Sequence, residues 1–357
     1  QCMKKMGLFT SLIWAFAIFC SCGQCLAEAA QAREAGYYTA AETIFDEAYR
    51  EQFSAGFSDI ASTCEAAVGN RFYSLKQSGK LFYYDVEARE YTLFAHLPAR
   101  PHRPDWQGKS YADLSESDRE TLDHTVSQLI AAVDSNVLYG YCATSGRIGT
   151  VDADGIHWSD VRLDNSLLME QMGSDELSLE PLWNAYIEGT TLYTYWNPSR
   201  WTADDSAPCS ASLLAFDLRT GQYTLTDLAE TYSFCPYKPG QMLLLRRADD
   251  GAMDLCAYDL SSHAVTDERF PPLPVTASTA DFSSVANLIG GIAYHSSSDM
   301  LVLVAEDGVW QSLKGEEFVH TVANDGLWTE LNPTIGGGWM LENGAFLFSS
   351  EGDHLFS

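Results

Sequence analysis

Short hairpin-like units recur along this chain, and they restrict its fold more than any other feature of the sequence. Each clear unit has an apolar run, an aromatic residue, an aspartate, an aliphatic residue, two or three turn-forming residues and a second alternating run. The three clear units are LFYYDVEAREYTL (81–93), LLAFDLRTGQYTL (213–225) and LCAYDLSSHAVT (255–266). The aspartate can accept hydrogen bonds from backbone amides two residues further on. Each unit therefore predicts a β-hairpin.

Weaker copies of this unit lie in the gaps and extend the pattern over most of the chain. The six residues that mark the turns are Asp85, Asp152, Asp217, Asp259, Asp307 and Glu351. The last four markers recur roughly every 45 residues, which suits a four-stranded propeller blade, whereas the first two intervals require insertions of roughly twenty residues. The sequence predicts an all-β protein, a β-propeller of about six four-stranded blades.

The clear units resemble the blades of bacterial secreted propellers, in which an apolar run is followed by Tyr-Asp-Leu and a Thr-Gly turn. Such blades occur in quinoprotein-like domains and in propeller modules found in front of extracellular solute-binding domains. The resemblance covers residues 57–357. It implies the fold, and it implies the N-terminal module of a solute-binding transport protein as one role for the chain.

Residues 1–32 have the order of a secretory signal peptide. A positive region at residues 3–5 is followed by an apolar stretch at residues 8–20 and then by small residues. The apolar stretch is shorter than the roughly twenty residues that a membrane-spanning helix needs. The candidate cleavage positions follow Ala27, Ala29 and Ala32. We expect export by the Sec route and a secreted or cell-surface location.

The cysteines leave lipid anchoring open as the lesser alternative. Cys22 has Phe19 at the position where a lipobox has leucine. The downstream cysteines are Cys64, Cys142, Cys209, Cys235 and Cys256, which form no Cys-x-x-Cys pair and have no histidine at zinc spacing. We expect most of them to be small buried hydrophobic residues.

The charge of the chain restricts its partners. It has 21 basic and 49 acidic residues and a formal net charge of −28. Such a surface repels phosphate backbones and anionic lipid headgroups, so nucleic-acid binding is not expected. Contact with a membrane is expected only through a lipid anchor.

The ends of the propeller give two further predictions. Residues 33–56 are predicted to be a helical segment, because Ile44, Phe45 and Tyr49 would share one face of a helix over residues 40–53. The chain ends soon after the third strand of its sixth unit begins, so the last blade is predicted to be incomplete. The propeller, residues 57–357, is therefore expected to be truncated at its C-terminus.

The sequence between the markers Asp85 and Asp152 is compatible with either a helix or a strand in the inserted segment. Ser117 and Glu120 have the spacing of a capping box, which predicts a short helix beginning near Glu116. The length of the blade instead requires a strand near residues 125–133, and we favour the strand there.

No motif for catalysis is evident. Residues 151–158, VDADGIHW, resemble a sialidase Asp-box, but Ala153 stands where the aspartate must be. The spacing of Asp152 and Asp154 favours a hairpin turn over a calcium loop. We predict no catalytic residues, no metal and no cofactor. The alternative is a glycan- or peptide-degrading propeller enzyme with its site at the central channel.

One long connection is a candidate contact site. Residues 197–211 separate two strand-like runs and carry Arg200 and Trp201 close to Tyr195 and Trp196. Exposed Trp, Tyr and Arg are common anchors of contact surfaces. We predict that these residues contact a protein or carbohydrate partner; the alternative is a loop that folds its tryptophan onto the propeller.

Overall fold

The computed structural model arranges the chain as six four-stranded antiparallel sheets. The structure describes residues 35–44, 62–99, 109, 111–163, 182–196, 212–228, 231–247, 253–274, 289–326, 338–348 and 354–357. The protein is a six-bladed β-propeller, which confirms the prediction from the repeats. Within the described residues, every helix is too short or too polar to cross a membrane.

The described part of the chain begins with strand β1 (Ala41–Thr43), and three blades of consecutive strands follow. Blade 1 contains β2 (Ser62–Val68), β3 (Arg71–Lys76), β4 (Lys80–Asp85) and β5 (Glu90–His96). Blade 2 contains β6 (Gln128–Ala131), β7 (Leu138–Tyr141), β8 (Arg147–Asp152) and β9 (Gly155–Arg162). Blade 3 contains β10 (Trp183–Glu188), β11 (Thr191–Trp196), β12 (Ser212–Asp217) and β13 (Tyr223–Asp227).

The remaining blades complete the ring. Blade 4 contains β14 (Thr231–Pro236), β15 (Gln241–Arg247), β16 (Met253–Asp259) and the short β17 (Ala264–Val265). Blade 5 contains β18 (Ile289–His295), β19 (Met300–Ala305), β20 (Gly308–Leu313) and β21 (Val319–Ala323). Blade 6 contains β22 (Gly338–Met340), β23 (Phe346–Phe348), β24 (His354–Phe356) and β1.

The first strand of each blade lies next to the propeller axis, because each of these six strands contacts the equivalent strand of the next blade. Amide side chains join them. Gln128 donates to the carbonyl of Leu182 and accepts from its amide, both at 2.8 Å. Asn184 donates to Ser233 Oγ at 2.8 Å and to the carbonyl of Phe234 at 3.1 Å. Blades 2, 3 and 4 are therefore fixed to one another at the axis.

The core consists of apolar layers between neighbouring blades. Successive residues of a strand point to opposite faces of its sheet, and in a propeller both faces are covered by another blade. In β15, Met242 and Leu244 pack towards blade 3, whereas Leu243 and Leu245 pack towards blade 5. This two-sided burial explains why β15 and β19 are continuous apolar runs instead of alternating ones.

Strand β1 closes the ring, so the prediction of an incomplete last blade is wrong. Ala41 pairs with Phe356 and Thr43 with His354, which makes β1 the outermost strand of blade 6. The helix predicted over residues 40–53 is wrong at Ala41–Thr43, which form a strand; residues 45–53 lie outside the described residues, so the helix there stays a prediction. The physical reason is that β24 offers an unpaired strand edge, and backbone pairing along it outweighs a local helical pattern.

Tyr38 anchors the closing segment between blades 5 and 6. Its amide donates to Gln311 Oε1 at 2.9 Å, and its carbonyl accepts from Gln311 Nε2 at 3.1 Å. Its ring packs in the core with Val304, Phe346 and Phe356. Both Tyr38 and Gln311 are buried, so this pair provides in the core the two hydrogen bonds that a neighbouring strand would provide.

The segment also reaches blade 1 on its other side. The hydroxyl of Tyr91 donates to the carbonyl of Ile44, and Ile44 is buried in the layer between blades 6 and 1. Arg89 and Glu42 form an exposed ion pair with a nitrogen–oxygen distance of 3.3 Å. Residues 38–44 therefore contact blades 5, 6 and 1, and Ala41–Thr43 belongs to the sheet of blade 6.

The insertion after blade 1 contains both of the structures that its sequence suggests. A 3-10 turn at Tyr111–Asp113 precedes helix α1 (Glu116–Leu122), and the favoured strand follows as β6. The helix is capped by Ser115, whose hydroxyl accepts from the Asp118 amide at 3.2 Å. The capping pair is thus Ser115 and Asp118, two residues before the Ser117–Glu120 pair that the spacing suggested.

The markers of the repeat are not all equivalent. Asp85, Asp152, Asp217 and Asp259 each end the third strand of a blade. Asp307 instead lies between the second and third strands of blade 5, and Glu351 falls between the corresponding strands of blade 6. The turns at Asp307 and Glu351 therefore follow the second strand of their blades and not the third, although the number of blades is unaffected.

We expect the Tyr38→Ala substitution to destabilise the propeller by roughly 3–5 kcal/mol, the usual cost of removing a buried aromatic ring. The free energy of unfolding would be measured by urea denaturation. Tyr223 is the matched control, because it is 40% exposed on the outer strand of blade 3. Tyr223→Ala should change the free energy by about 0.5 kcal/mol or less. Equal effects of the two substitutions would show that closure does not depend on Tyr38.

Candidate functional site

The strand order gives the propeller two different faces. The turns that join the first strand to the second, and the third strand to the fourth, lie on one face, which we call the short-turn face. The connections that join the second strand to the third, and each blade to the next, lie on the opposite face, which we call the long-connection face. The strand ends on that face flank the longest gaps between strands: 44–61, 97–127, 163–182, 197–211, 266–288 and 324–337.

Hydrogen bonds between blades tie the short-turn face together. The Gly189 amide donates to Asp134 Oδ2 at 2.8 Å, and the Gly240 amide donates to Glu188 Oε1 at 2.7 Å. In each case a carboxylate of one blade accepts from a turn glycine of the next. Both glycines have positive φ values, 60° and 73°, which explains the residue type. Between blades 6 and 1, the Glu342 amide donates to the carbonyl of Gly69 at 3.1 Å.

The marker aspartates of blades 1 to 4 close the turns of this face. The Ala88 amide donates to Asp85 and lowers the pKa of its carboxyl. The Ser261 hydroxyl and the Ser262 amide donate to Asp259 at 2.6 and 2.7 Å and lower its pKa to about 2. These carboxylates are occupied by their own turns, which is the structural role that the sequence predicted.

Asp152 has the same role in blade 2. One of its oxygens accepts from the Asp154 amide at 2.8 Å, and the other lies 2.9 Å from His157 Nε2. The hydrogen bond from His157 lowers the pKa of Asp152 more than any other contact does. Within the described residues, no three His, Cys, Asp or Glu side chains are grouped so that they could hold a metal ion.

Two of the four predicted contact residues lie within the described part of the chain, at the long-connection face. Tyr195 and Trp196 end strand β11 there, where their backbones pair with Leu213 and Ser212 of β12. Arg200 and Trp201 lie outside the described residues, so the contact surface stays a prediction. The described strands place the start and the end of connection 197–211 on blade 3.

Helix α1 covers part of the same face at blade 2. The Cys142 thiol donates to the carbonyl of Leu122 at 3.2 Å, and the Ser145 hydroxyl donates to the carbonyl of Asp123 at 2.8 Å. His124 Nδ1 lies 2.8 Å from the Glu120 carbonyl, so Nδ1 is the donor and Nε2 is left to accept from Arg147 at 2.9 Å. These contacts attach the helix to the turn between the second and third strands of blade 2.

Sequence reasoning missed a polar feature between blades 3 and 4. Arg246 is partly buried near the long-connection end of β15, and its Nε atom is buried without a hydrogen-bond partner. The hydroxyls of Tyr186 and Tyr258 are likewise buried and unpartnered in this interface. The only sequence signal is Arg246-Arg247 at the end of an apolar run, and such a pair is ordinarily the solvated end of a strand.

The free cysteines are mostly core residues, as predicted. Cys142, Cys235 and Cys256 are buried, Cys64 is partly buried, and Cys209 lies outside the described residues. Burial raises the pKa of the Cys235 thiol to about 12 and that of Cys256 to about 11, which keeps both protonated and unreactive at neutral pH.

The alternative hypothesis of a channel enzyme depends on the six strands beside the axis. Their carboxylate and histidine side chains are Glu65, Glu188 and His295. Glu188 accepts from a turn of blade 4, and His295 Nε2 lies 3.1 Å from the carbonyl of Glu342 in blade 6. Two of the three groups are therefore engaged at the short-turn end. The absence of catalysis stays a prediction.

Comparison with known proteins finds only distant similarities. No family model and no curated protein matches the chain. Among solved structures, the extracellular domain of the hybrid two-component system BT3049 from B. thetaiotaomicron is 12% identical with a TM-score of 0.40. The extracellular domain of the one-component system BT4673 from the same organism has the same identity and TM-score. The matches cover 86% and 83% of this chain but only 35% and 38% of those chains.

A designed propeller is similar to the same degree. The computationally designed Ika8 protein is 12% identical with a TM-score of 0.36, and the match covers 84% of this chain and 71% of that chain. At such identities and TM-scores these likenesses support no conclusion about the role of this chain.

We expect Asp259 to make the stability of the propeller depend on pH between about 4 and 2. Its folded pKa, about 2, lies below the value of about 3.9 for an unfolded chain. Its stabilising contribution is therefore complete above about pH 4 and is lost as the pH falls through the folded pKa. The matched variant is Asp259→Asn, which keeps an acceptor oxygen but cannot titrate. The difference in free energy of unfolding between the two proteins should shrink from pH 4 to pH 2; a constant difference would contradict the turn as its cause.

Proposed function

We propose that this chain is a non-catalytic, exported propeller that binds a protein or carbohydrate partner on its long-connection face. The proposal rests on the difference between the two faces. Turns tied to one another by hydrogen bonds form a rigid support, and the opposite face bears the longest connections. Loops positioned by a rigid scaffold are the usual carriers of binding residues.

The contact residues that we propose are Tyr195, Trp196, Arg200 and Trp201. They occur within or directly before connection 197–211, which starts from strand ends on the long-connection face. Trp and Tyr offer a large apolar surface together with a polar atom, and their rings stack on sugar rings or fill pockets in a protein partner. The net charge of −28 disfavours nucleic acid as that partner.

The resemblance of the blades to modules found in front of solute-binding domains suggests one setting for this role. In that setting the chain is the N-terminal module of a transport protein at the cell surface, exported by residues 1–32. A propeller that presents one face to a neighbouring domain or to an incoming solute needs no catalytic group of its own.

We expect Trp201→Ala to weaken binding about tenfold or more in a screen of glycans and peptides, because central aromatic anchors commonly contribute at least about 2 kcal/mol. Its free energy of unfolding should change by about 0.5 kcal/mol or less. Tyr223→Ala is the control, because Tyr223 is exposed on the outer strand of the same blade. If Trp201→Ala instead costs roughly 3–5 kcal/mol of stability, the side chain belongs to the core and the proposed surface is wrong.

Hydrolysis of glycans or peptides by the purified chain would defeat the non-catalytic part of the proposal, provided that a single carboxylate or serine substitution abolishes the activity.

Export has a separate test. Expressed in a bacterial host with residues 1–32 intact, the chain should appear outside the cytoplasm with a new N-terminus after Ala27, Ala29 or Ala32. N-terminal sequencing of the secreted protein would identify the position. Retention in the cytoplasm with an uncleaved N-terminus would contradict export.

A further inference from the structure

Residues 38–44, the closing segment, lie in a place that other parts of the chain form for them. Strand β24 pairs with Ala41–Thr43, and Gln311 of blade 5 forms two hydrogen bonds with the Tyr38 backbone. The ring of Tyr38 lies 6.4 Å from that of Phe356, measured between centroids. We call the residues that receive the segment the closing seat: strand β24, Gln311, Phe346, Arg89 and Tyr91.

The seat holds the closing segment at both ends and in the middle. Tyr38 and Ile44, each 5% exposed, anchor the two ends in different inter-blade layers. Between them, the contact with β24 is backbone pairing, and Glu42 forms its ion pair with Arg89. These contacts use seven consecutive residues of the chain. A second copy of the chain carries the same seven residues.

The link from the closing segment to the rest of its own ring is long. β1 is the outermost strand of blade 6, whereas β2 is the innermost strand of blade 1. The link is residues 45–61, and an extended chain of that length reaches roughly 55 Å. Four strands span only about 15 Å, because neighbouring strands lie about 4.8 Å apart. The length of the link therefore does not confine the segment to the ring of its own copy.

The closing segment also differs in charge from the chain as a whole. The net charge of −28 makes two copies repel each other. The segment has a single charged side chain, Glu42, and the seat offers Arg89 to it. Its one negative charge meets a positive one, so the segment is well suited to enter the ring of another acidic copy.

Closure joins parts of the chain that are far apart in sequence. The hydrogen bonds between Tyr38 and Gln311 connect residues 273 positions apart. Contacts of such separation are slow to form, because a large loop must close first, whereas the hairpins of the blades are local. Until closure, each copy offers both an unpaired closing segment and an open strand edge along β24. Open edges of this kind pair with other chains.

We propose that the closing seat also accepts the closing segment of a second copy, so that two chains close each other's rings. The exchanged dimer repeats the pairing of β1 with β24 and the hydrogen bonds to Gln311, and it needs no new contact. Exchange of an identical element is a low-cost route to a dimer for this reason. A tethered segment has an effective concentration of about a millimolar. The monomer therefore prevails in dilute solution, and the dimer forms when chains fold at high concentration.

A labelled peptide with the sequence of residues 36–44 tests the seat directly. Its binding is compared, by fluorescence anisotropy, between the unmodified full chain and Tyr38→Ala, whose own segment is weakened about a hundredfold or more. We expect the peptide to bind Tyr38→Ala at least about tenfold more tightly, because the unmodified chain fills its own seat. The control is the same peptide with the Tyr38→Ala change, which should bind at least about tenfold more weakly.

Two results of this titration would overturn the proposal, provided that Tyr38→Ala is folded by circular dichroism. One is a peptide that binds neither chain. The other is a control peptide that binds as tightly as the original, because the seat would then not recognise the tyrosine ring. If Tyr38→Ala does not fold, the decision rests on the next experiment, which leaves the core unchanged.

The ion pair between Glu42 and Arg89 allows exchange to be detected with surface substitutions. Their side chains are 49% and 61% exposed, so Glu42→Arg and Arg89→Glu should both fold. Within either variant the two positions carry like charges. In a dimer that exchanges segments between the variants, the introduced arginine meets the introduced glutamate, and the native pair forms in the other ring. The mixture therefore restores two ion pairs, whereas neither variant alone forms one.

The two variants are unfolded in urea, mixed, and refolded at high protein concentration, low ionic strength and with a reducing agent. Size-exclusion chromatography with light scattering measures the dimer. We expect several-fold more dimer in the mixture than in either variant alone, because exposed ion pairs are individually weak. High salt should remove the excess. As the control, Arg219→Glu replaces an exposed arginine on a turn of blade 3, and its mixture with Glu42→Arg should give no excess.

Equal amounts of dimer in the mixture and in the separate variants would show that the copies do not exchange this segment. Neither experiment involves Trp201 or a partner. Loss of the exchanged dimer therefore leaves the proposed contact surface untouched, and failure of that surface leaves the exchange untouched.

Discussion

Closure of the ring by the N-terminal segment is the interaction on which the rest of the structure depends. Each blade is stabilised by apolar layers on both faces, so every layer requires the next blade to be in place. Strand β1 pairs with β24, while Tyr38 is held by Gln311 of blade 5 and Ile44 by Tyr91 of blade 1. Without these contacts β24 would be an open edge, which favours association with other chains.

In a closed ring of antiparallel blades, the topology alone places different connections on the two faces. The turns between first and second strands meet around the axis on one face, close enough for Asp134 and Glu188 to accept from Gly189 and Gly240. Carboxylates consumed in this way contribute rigidity and are not available for chemistry. Variation is left to the other face, where long connections can differ without disturbing the layers between blades.

The candidate site was partly visible in the sequence. Connection 197–211 is conspicuous because a fifteen-residue polar segment with Trp201 interrupts a hairpin, and this needs only the local pattern. The buried position of Arg246 Nε was not visible, because it depends on how blade 4 packs on blade 3.

The sequence by itself determined the blade count and the role of the marker aspartates in blades 1 to 4, because turn chemistry and strand alternation are local properties. Only the tertiary structure decided the conformation of residues 41–43 and the assignment of Asp307 to a different turn from Asp259. Residues 41–43 form a strand because the strand edge that they meet comes from the opposite end of the chain. Non-local hydrogen bonds of this kind leave no periodic signal in the sequence that forms them.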